Sequence, residues 1–183
     1  MYIPTDVCNY ILKYLEEPER YVIKAVFYKY LDNIFPIKYA EQEILKNLTW
    51  LDLVEFGWLF LIKLFHKNNI SGCTNNIMDY AAKNGYLEII KWLHYNRKEG
   101  CTIYAMDWAA MNGHLEIVKW LHENRKEGCT TNAMDWAAED GHLEVVKWLH
   151  DNRKEGYTED ALKMAIKNNH HEVVDYLKYI LKN

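Results

Sequence analysis

The chain has 183 residues, of which 50% are hydrophobic and 26% charged, with a formal net charge of −4. That balance suits one soluble, folded domain rather than a disordered chain. The acidic charge argues against generic nucleic-acid binding, which relies on a basic surface. The longest apolar stretches, such as Phe56 to Leu64, are too short to span a bilayer and are interrupted by Lys63, so no membrane segment is expected. The start, MYIPTDVCNY, lacks a basic region followed by an apolar core, so the expected location is the cytoplasm, with the nucleus as the alternative.

The first 44 residues stand outside the repeat described below. Val7, Ile11, Leu12 and Leu15 recur at helical spacing and end near Pro18, and Val22, Ala25 and Val26 begin a second apolar stripe, so two short helices are expected. Ile3-Pro4-x-Asp6-Val7, Ile11-Leu12-x-x-Leu15 and Val26-x-x-x-Tyr30-Leu31 are together similar to the F-box, a helical segment that docks on the Skp1 adaptor of ubiquitin ligases. Phe27 stands where that family has Cys. The resemblance implies adaptor docking through Ile3, Pro4, Val7, Ile11, Leu12 and Leu15. The plainer reading is a helical cap on the exposed end of an array, which terminal units must supply.

From Cys73 onward the chain repeats itself. Cys73, Cys101, Cys129 and Tyr157 are spaced by 28 residues. CTIYAMDWAAMNGHLEIVKWLHENRKEG, from Cys101 to Gly128, differs at few positions from CTTNAMDWAAEDGHLEVVKWLHDNRKEG, from Cys129 to Gly156. Projecting the frame backwards aligns Gly57 with Gly85, His66 with His94 and Gly72 with Gly100, so the expected units are 45–72, 73–100, 101–128, 129–156 and 157–183. A fixed period in this range signifies a solenoid of stacked units.

Within a unit, Thr102 is a fitting N-cap for a first helix over Ile103 to Met111. Asn112 and Gly113 stop it, the glycine supplying a left-handed residue. A second helix is expected from Leu115 to about Lys126, with Leu115, Val118 and Leu121 on one stripe and Gly128 as its stop. The predicted fold is therefore all-α. Asn169 takes the turn glycine's place in the last unit, where Asp175, Lys178 and Lys182 add charge to the final helix.

WAAMNGHLEIVKWLH, Trp108 to His122, and its counterparts at Tyr80 to His94 and Trp136 to His150, resemble the ankyrin repeat: a double alanine, Gly-His at the interhelix turn and a paired aliphatic in the second helix. The resemblance runs from about Leu45 to Asn183 and implies an α-solenoid of helix-turn-helix units and protein-binding function. Tyr104-Ala105-Met106-Asp107 replaces the family's Thr-Pro-Leu-His opening, and the period of 28 is shorter than the family's, about 33. The second helix is expected to lengthen through the Asn-Arg-Lys-Glu segment, and with only Cys129 and Thr130 linking units there is no room for a β-hairpin finger. Compact units in a chain rich in Asn, Lys, Ile and Tyr look most like ankyrin proteins of giant DNA viruses, which implies a host protein as partner in the host cytoplasm.

Repetition itself assigns most of the conspicuous side chains. Cys73, Cys101 and Cys129 fall about one helix-packing distance apart, roughly 8–10 Å, too far for a disulfide or a shared zinc ion, so they are expected to be small buried hydrophobes. His66, His94, His122 and His150, and His114, His142 and His170, are expected to bond to backbone carbonyls of the adjacent unit. Trp92, Trp120 and Trp148, with Tyr80, Trp108 and Trp136, read as inter-unit packing. Arg97, Arg125 and Arg153, with the lysines that follow them, read as a solvated basic rim, or else as a row for an acidic or phosphorylated partner. No nucleophile and base pair, phosphate loop or ligand spacing lies outside the repeat frame, so neither catalysis, metal nor cofactor is expected.

Where the copies differ, stacking does not dictate the residue. The third, fourth, eleventh and twelfth places of the unit vary most: Asn75, Lys83 and Asn84 in one copy, Ile103, Tyr104, Met111 and Asn112 in the next, and Thr131, Asn132, Glu139 and Asp140 in the third. Places eight apart share a helix face. By the ankyrin resemblance these residues match first-helix positions that contact targets on the concave side, and exposed Ile103, Tyr104 and Met111 suit a protein interface. The expected function is a non-enzymatic scaffold that binds a protein. For the alternative, residues 1–44 would co-precipitate the Skp1 adaptor, and Leu12→Asp with Leu15→Asp would abolish recovery; retention by the double variant would rule out docking through this segment.

Overall fold

The computed structural model describes residues 49–182. The expectations for a cap over 1–44 and for adaptor docking through Ile3, Pro4, Val7, Ile11, Leu12 and Leu15 lie outside the described residues. Those described form helix pairs: α1 (Trp50–Glu55) and α2 (Leu59–Lys67), α3 (Asn76–Lys83) and α4 (Leu87–Asn96), α5 (Tyr104–Met111) and α6 (Leu115–Asn124), α7 (Asn132–Glu139) and α8 (Leu143–Asn152), α9 (Glu159–Lys167) and α10 (His171–Ile180). No strand occurs among them. Each hairpin stacks on the next, giving an α-solenoid without β-hairpin fingers.

The first helix of each unit opens on a threonine. The Thr102 hydroxyl accepts from the Tyr104 amide at 3.1 Å, and the Thr130 hydroxyl accepts from the Asn132 amide at the same distance. This satisfies one of the amides that a helix N-terminus leaves unpaired. At the other end the amide of Gly113 donates to Ala110 O and that of His114 to Ala109 O, at 3.1 and 2.9 Å. These two bonds are the Schellman closure, and they need a left-handed residue, which Gly113 supplies with φ 72°. Asn169 takes the same conformation in the last unit, with φ 61°.

The second helix ends earlier than the pattern suggests. α4, α6 and α8 stop at Asn96, Asn124 and Asn152, and Arg97, Arg125 and Arg153 are extended, with φ between −127 and −124° and ψ between 157 and 161°. The Asn-Arg-Lys-Glu segment is therefore not a helical extension. Each asparagine folds its Nδ2 back onto the tryptophan carbonyl four residues earlier, at 2.8 to 2.9 Å, closing the helix. Local capping by the amide side chain outcompetes continuation.

The core follows the repeat. Ala105, Ala109 and Ala110, with Ala133, Ala137 and Ala138, are buried between consecutive first helices, while Ile117, Val118 and Leu121 and their counterparts fill the space beneath the second helices. Alanine lets first helices come close, whereas the second helices carry the bulky side chains, including the half-buried Trp92, Trp120 and Trp148. Consecutive first helices accordingly approach along their length and consecutive second helices meet at few points. The first helices are thus the tightly packed side of the stack.

Gly113 is constrained twice. A Cβ there would meet the His142 ring of the next unit at 2.6 Å, whereas one at Gly156, also at positive φ, meets nothing within 4 Å. Gly156→Ala should cost only the left-handed strain, about 1–2 kcal/mol. Gly113→Ala adds displacement of the ring and should lower the urea midpoint clearly further; equal losses would refute the seating of His142.

Candidate partner-binding surface

Two seams hold the units together, and what they leave uncovered is the candidate site. The inner seam is a buried carboxylate. Asp107, in the first turn of α5, is fully buried, and it accepts from the Thr130 amide at 2.8 Å and the Thr130 hydroxyl at 2.8 Å. Asp79 accepts likewise from Thr102, and Asp135 from Thr158. Burial raises Asp79 and Asp107 above the ordinary carboxylate range, and the two bonds from threonine work against it. With the folded value raised, the folded state holds these protons more readily, so their contribution is full below the ordinary carboxylate value and is lost as pH rises from there through the raised one.

The outer seam is a side-chain relay. Arg125 donates from Nη1 to His94 Nδ1 of the preceding unit at 3.3 Å and pairs through Nε and Nη2 with Glu127 of its own. Arg97 does the same with His66 and Glu99, and Arg153 with His122 and Glu155. Guanidinium is always a donor, so each of these imidazoles presents Nδ1 as acceptor and carries its proton on Nε2. The ring edges meet Trp92, Trp120 and Trp148 of the following unit at 5.2 to 5.3 Å.

The histidine and arginine rows thus depart from expectation. His66, His94 and His122 bond to arginine rather than to backbone carbonyls, because the extended arginine backbone swings the guanidinium back over the preceding unit. The interhelix row keeps the carbonyl reading at His114, whose Nε2 lies 3.1 Å from Lys83 O. The arginines form no solvated rim: they are half-buried and ion-paired, and Lys98, Lys126 and Lys154 are the exposed members of that edge. Cys101 and Cys129 are buried free thiols, pushed by burial up to about 12 and about 11; Cys73 is only half-buried, and burial takes it to about 11. Such thiols stay protonated and unreactive at neutral pH. Among the described residues no three of His, Cys, Asp and Glu converge on one point.

On the stripe that varies between copies, α5 and its N-cap carry the apolar centre. Ile103 is 37% and Tyr104 46% exposed, large apolar side chains on a surface whose neighbours are mostly small or polar. The Tyr104 ring stacks on Trp108, one turn along, with centroids 5.2 Å apart and planes 22° apart. Tyr80 of α3 leans on the same indole at 5.4 Å, and Lys83 Nζ lies 5.8 Å from its centroid. Trp108 is half-exposed, so an aromatic assigned to packing also faces the groove. Met111, expected to be exposed, is half-buried.

The remaining stripe residues divide by unit. Asn75, Lys83 and Asn84 are exposed on the α3 side, Thr131, Asn132 and Glu139 half-exposed on α7, with Asp140 exposed at its end. Asn84 and Asn112 each commit Nδ2 to their own helix end, on Tyr80 O at 3.0 Å and Trp108 O at 2.9 Å. Sequence reasoning missed Asp79, Asp107 and Asp135. Their signal was legible: one carboxylate per unit on an otherwise apolar face, each 23 residues before a threonine.

These units have the helix hairpin, the Gly-His turn and the stacked alanines of a known repeat, and residues 106–182 match the family of ankyrin repeats in three copies, with residues 51–94 matching ankyrin repeats in many copies. The chain belongs to the ankyrin repeat family. Comparison with curated proteins finds no match. Ankyrin repeats are a protein-interaction module, and no helix among the described residues is long and apolar enough to cross a membrane.

Asp107→Ala removes both acceptors of Thr130 and leaves a buried amide and hydroxyl unpaired, at a cost of about 1–3 kcal/mol. We expect a lower melting temperature, whereas Asp151→Ala, at an exposed site on α8, should leave it unchanged. Equal melting of the two would remove the carboxylate from the account of stacking.

Proposed function

We propose that this protein is a non-enzymatic scaffold that captures a partner protein on its concave face, through the stripe centred on Ile103, Tyr104 and Trp108. The observation that carries the reading is the exposure of Ile103 and Tyr104 in the middle of the array, where the seams leave them unused. Isoleucine and tyrosine held on a rigid helix, with an indole stacked beneath, have the composition of an interface centre rather than of a solvated surface. Asn75, Lys83, Asn84, Thr131, Asn132, Glu139 and Asp140 then form the polar margin of that patch, and Met111 and Asn112 its floor at the end of α5. An open helix stripe suits a folded or extended polypeptide better than a small molecule, which needs a concave site that encloses it.

Ile103→Asp with Tyr104→Ser should abolish recovery of the partners that the intact chain captures, with the chain still folded and destabilised mainly by loss of the Tyr104 stack on Trp108, about 0.5–1.5 kcal/mol. Tyr95→Ser, at a residue 72% exposed on α4 of the opposite face, should leave recovery intact. If the double variant retains every partner, the concave stripe is not the docking surface.

A further inference from the structure

We propose that the segment this concave patch recognises carries an apolar anchor with a lysine or arginine about four or five residues away in extended chain. The proposal rests on the concave-face reading and adds the partner's chemistry.

The patch is electrically lopsided. On its α3 side Lys83 holds its ammonium over the Trp108 ring, so a cation arriving there meets like charge. On the α7 side lie the Glu139 and Asp140 carboxylates, at the places that Lys83 and Asn84 fill two units earlier.

Glu88, Glu116 and Glu144 each hold the lysine three residues on, and Glu99, Glu127 and Glu155 each hold an arginine. Glu139 and Asp140 form no ion pair among the described residues, and unlike Glu123 and Asp151, which also form none, they stand at the end of a first helix, on the stripe. In the next unit Asp160 is matched to Lys163, and Lys167 stands at the place of Glu139 and offsets one of the two charges. The α7 end of the stripe stays net negative.

Ile103 and Tyr104 stand at the start of α5 and Glu139 and Asp140 at the end of α7. With neighbouring first helices roughly 8–10 Å apart and about eight residues of helix rise between the two groups, they are separated by about 15 Å. An extended chain advances about 3.3 Å per residue, so a segment lying diagonally across the first helices with its anchor against Tyr104 and Ile103 brings the residue about four or five places on to Glu139 and Asp140. A basic side chain there finds two carboxylates that no lysine or arginine of the described residues holds. The reverse orientation carries it toward the start of α3, where Asn75 and Asn76 offer no charge, so the charges fix polarity as well as composition, which is what complementary charge contributes at interfaces.

The test is selection of random twelve-residue peptides displayed on phage against the immobilised full chain, followed by affinities of synthetic copies. The expected result is enrichment of peptides pairing an aromatic or aliphatic residue with Lys or Arg at about that spacing. Binding should weaken about tenfold on Glu139→Lys with Asp140→Lys and also with added salt. Peptides that are lost on Ile103→Asp yet lack a basic residue, or that ignore the charge reversal, would overturn this partner chemistry while leaving the concave site standing. Peptides indifferent to Ile103→Asp, or no enrichment at all, would overturn both.

Discussion

Three consecutive joints of this array, from Asp79 to Thr158, hang on a carboxylate withdrawn from water. An aspartate at the start of a first helix would be costly in the interior on its own, but it receives an amide and a hydroxyl from the threonine that opens the next unit. That hydroxyl meanwhile accepts from the amide two residues on and so shapes the start of its own helix. The helix start of one unit and the buried charge of the unit before it are thus one hydrogen-bonded element. A hairpin of this kind is incomplete until its neighbour is in place, which is the physical content of obligatory stacking.

The outer relay answers a different need. With second helices splayed by tryptophan, leucine and isoleucine, the gap at the far edge is wide enough for a guanidinium, and arginine spans it to histidine with one nitrogen while holding glutamate with others. Glycines at the unit ends make the space: a Cβ at Gly100 would approach Arg125 Nη2 to 2.6 Å. At the last joint the two seams part company: Asp135 still holds Thr158, whereas Leu181 stands where an arginine would reach His150.

Alanine lines the first-helix contacts and bulky residues line the second, so the stripe that varies between copies lies on the tightly packed side of the stack. From the second unit to the fourth, residues committed to the seams recur unchanged, and those on the stripe run from lysine through isoleucine, tyrosine and methionine to glutamate and aspartate. The ladder thus presents a graded row of chemistries at fixed intervals, a property suited to a protein-interaction module.

The sequence alone determined the period, the paired helices and their turns, because these follow from local chemistry: threonine at a helix start, glycine or asparagine in the left-handed turn, and apolar residues at helical spacing. It also separated shared positions from variable ones and so pointed to Ile103, Tyr104 and the acidic pair at 139 and 140. It did not show where the second helix stops, since the asparagine that closes α6 on Trp120 O is read there as one more helical residue. Nor did it show that Arg125 meets His94, 31 residues earlier, that Asp107 is buried, or that Trp108 lies half-open beneath Tyr104. Those facts depend on which residue of one unit falls opposite which residue of the next, and that register is set only when the hairpins stack.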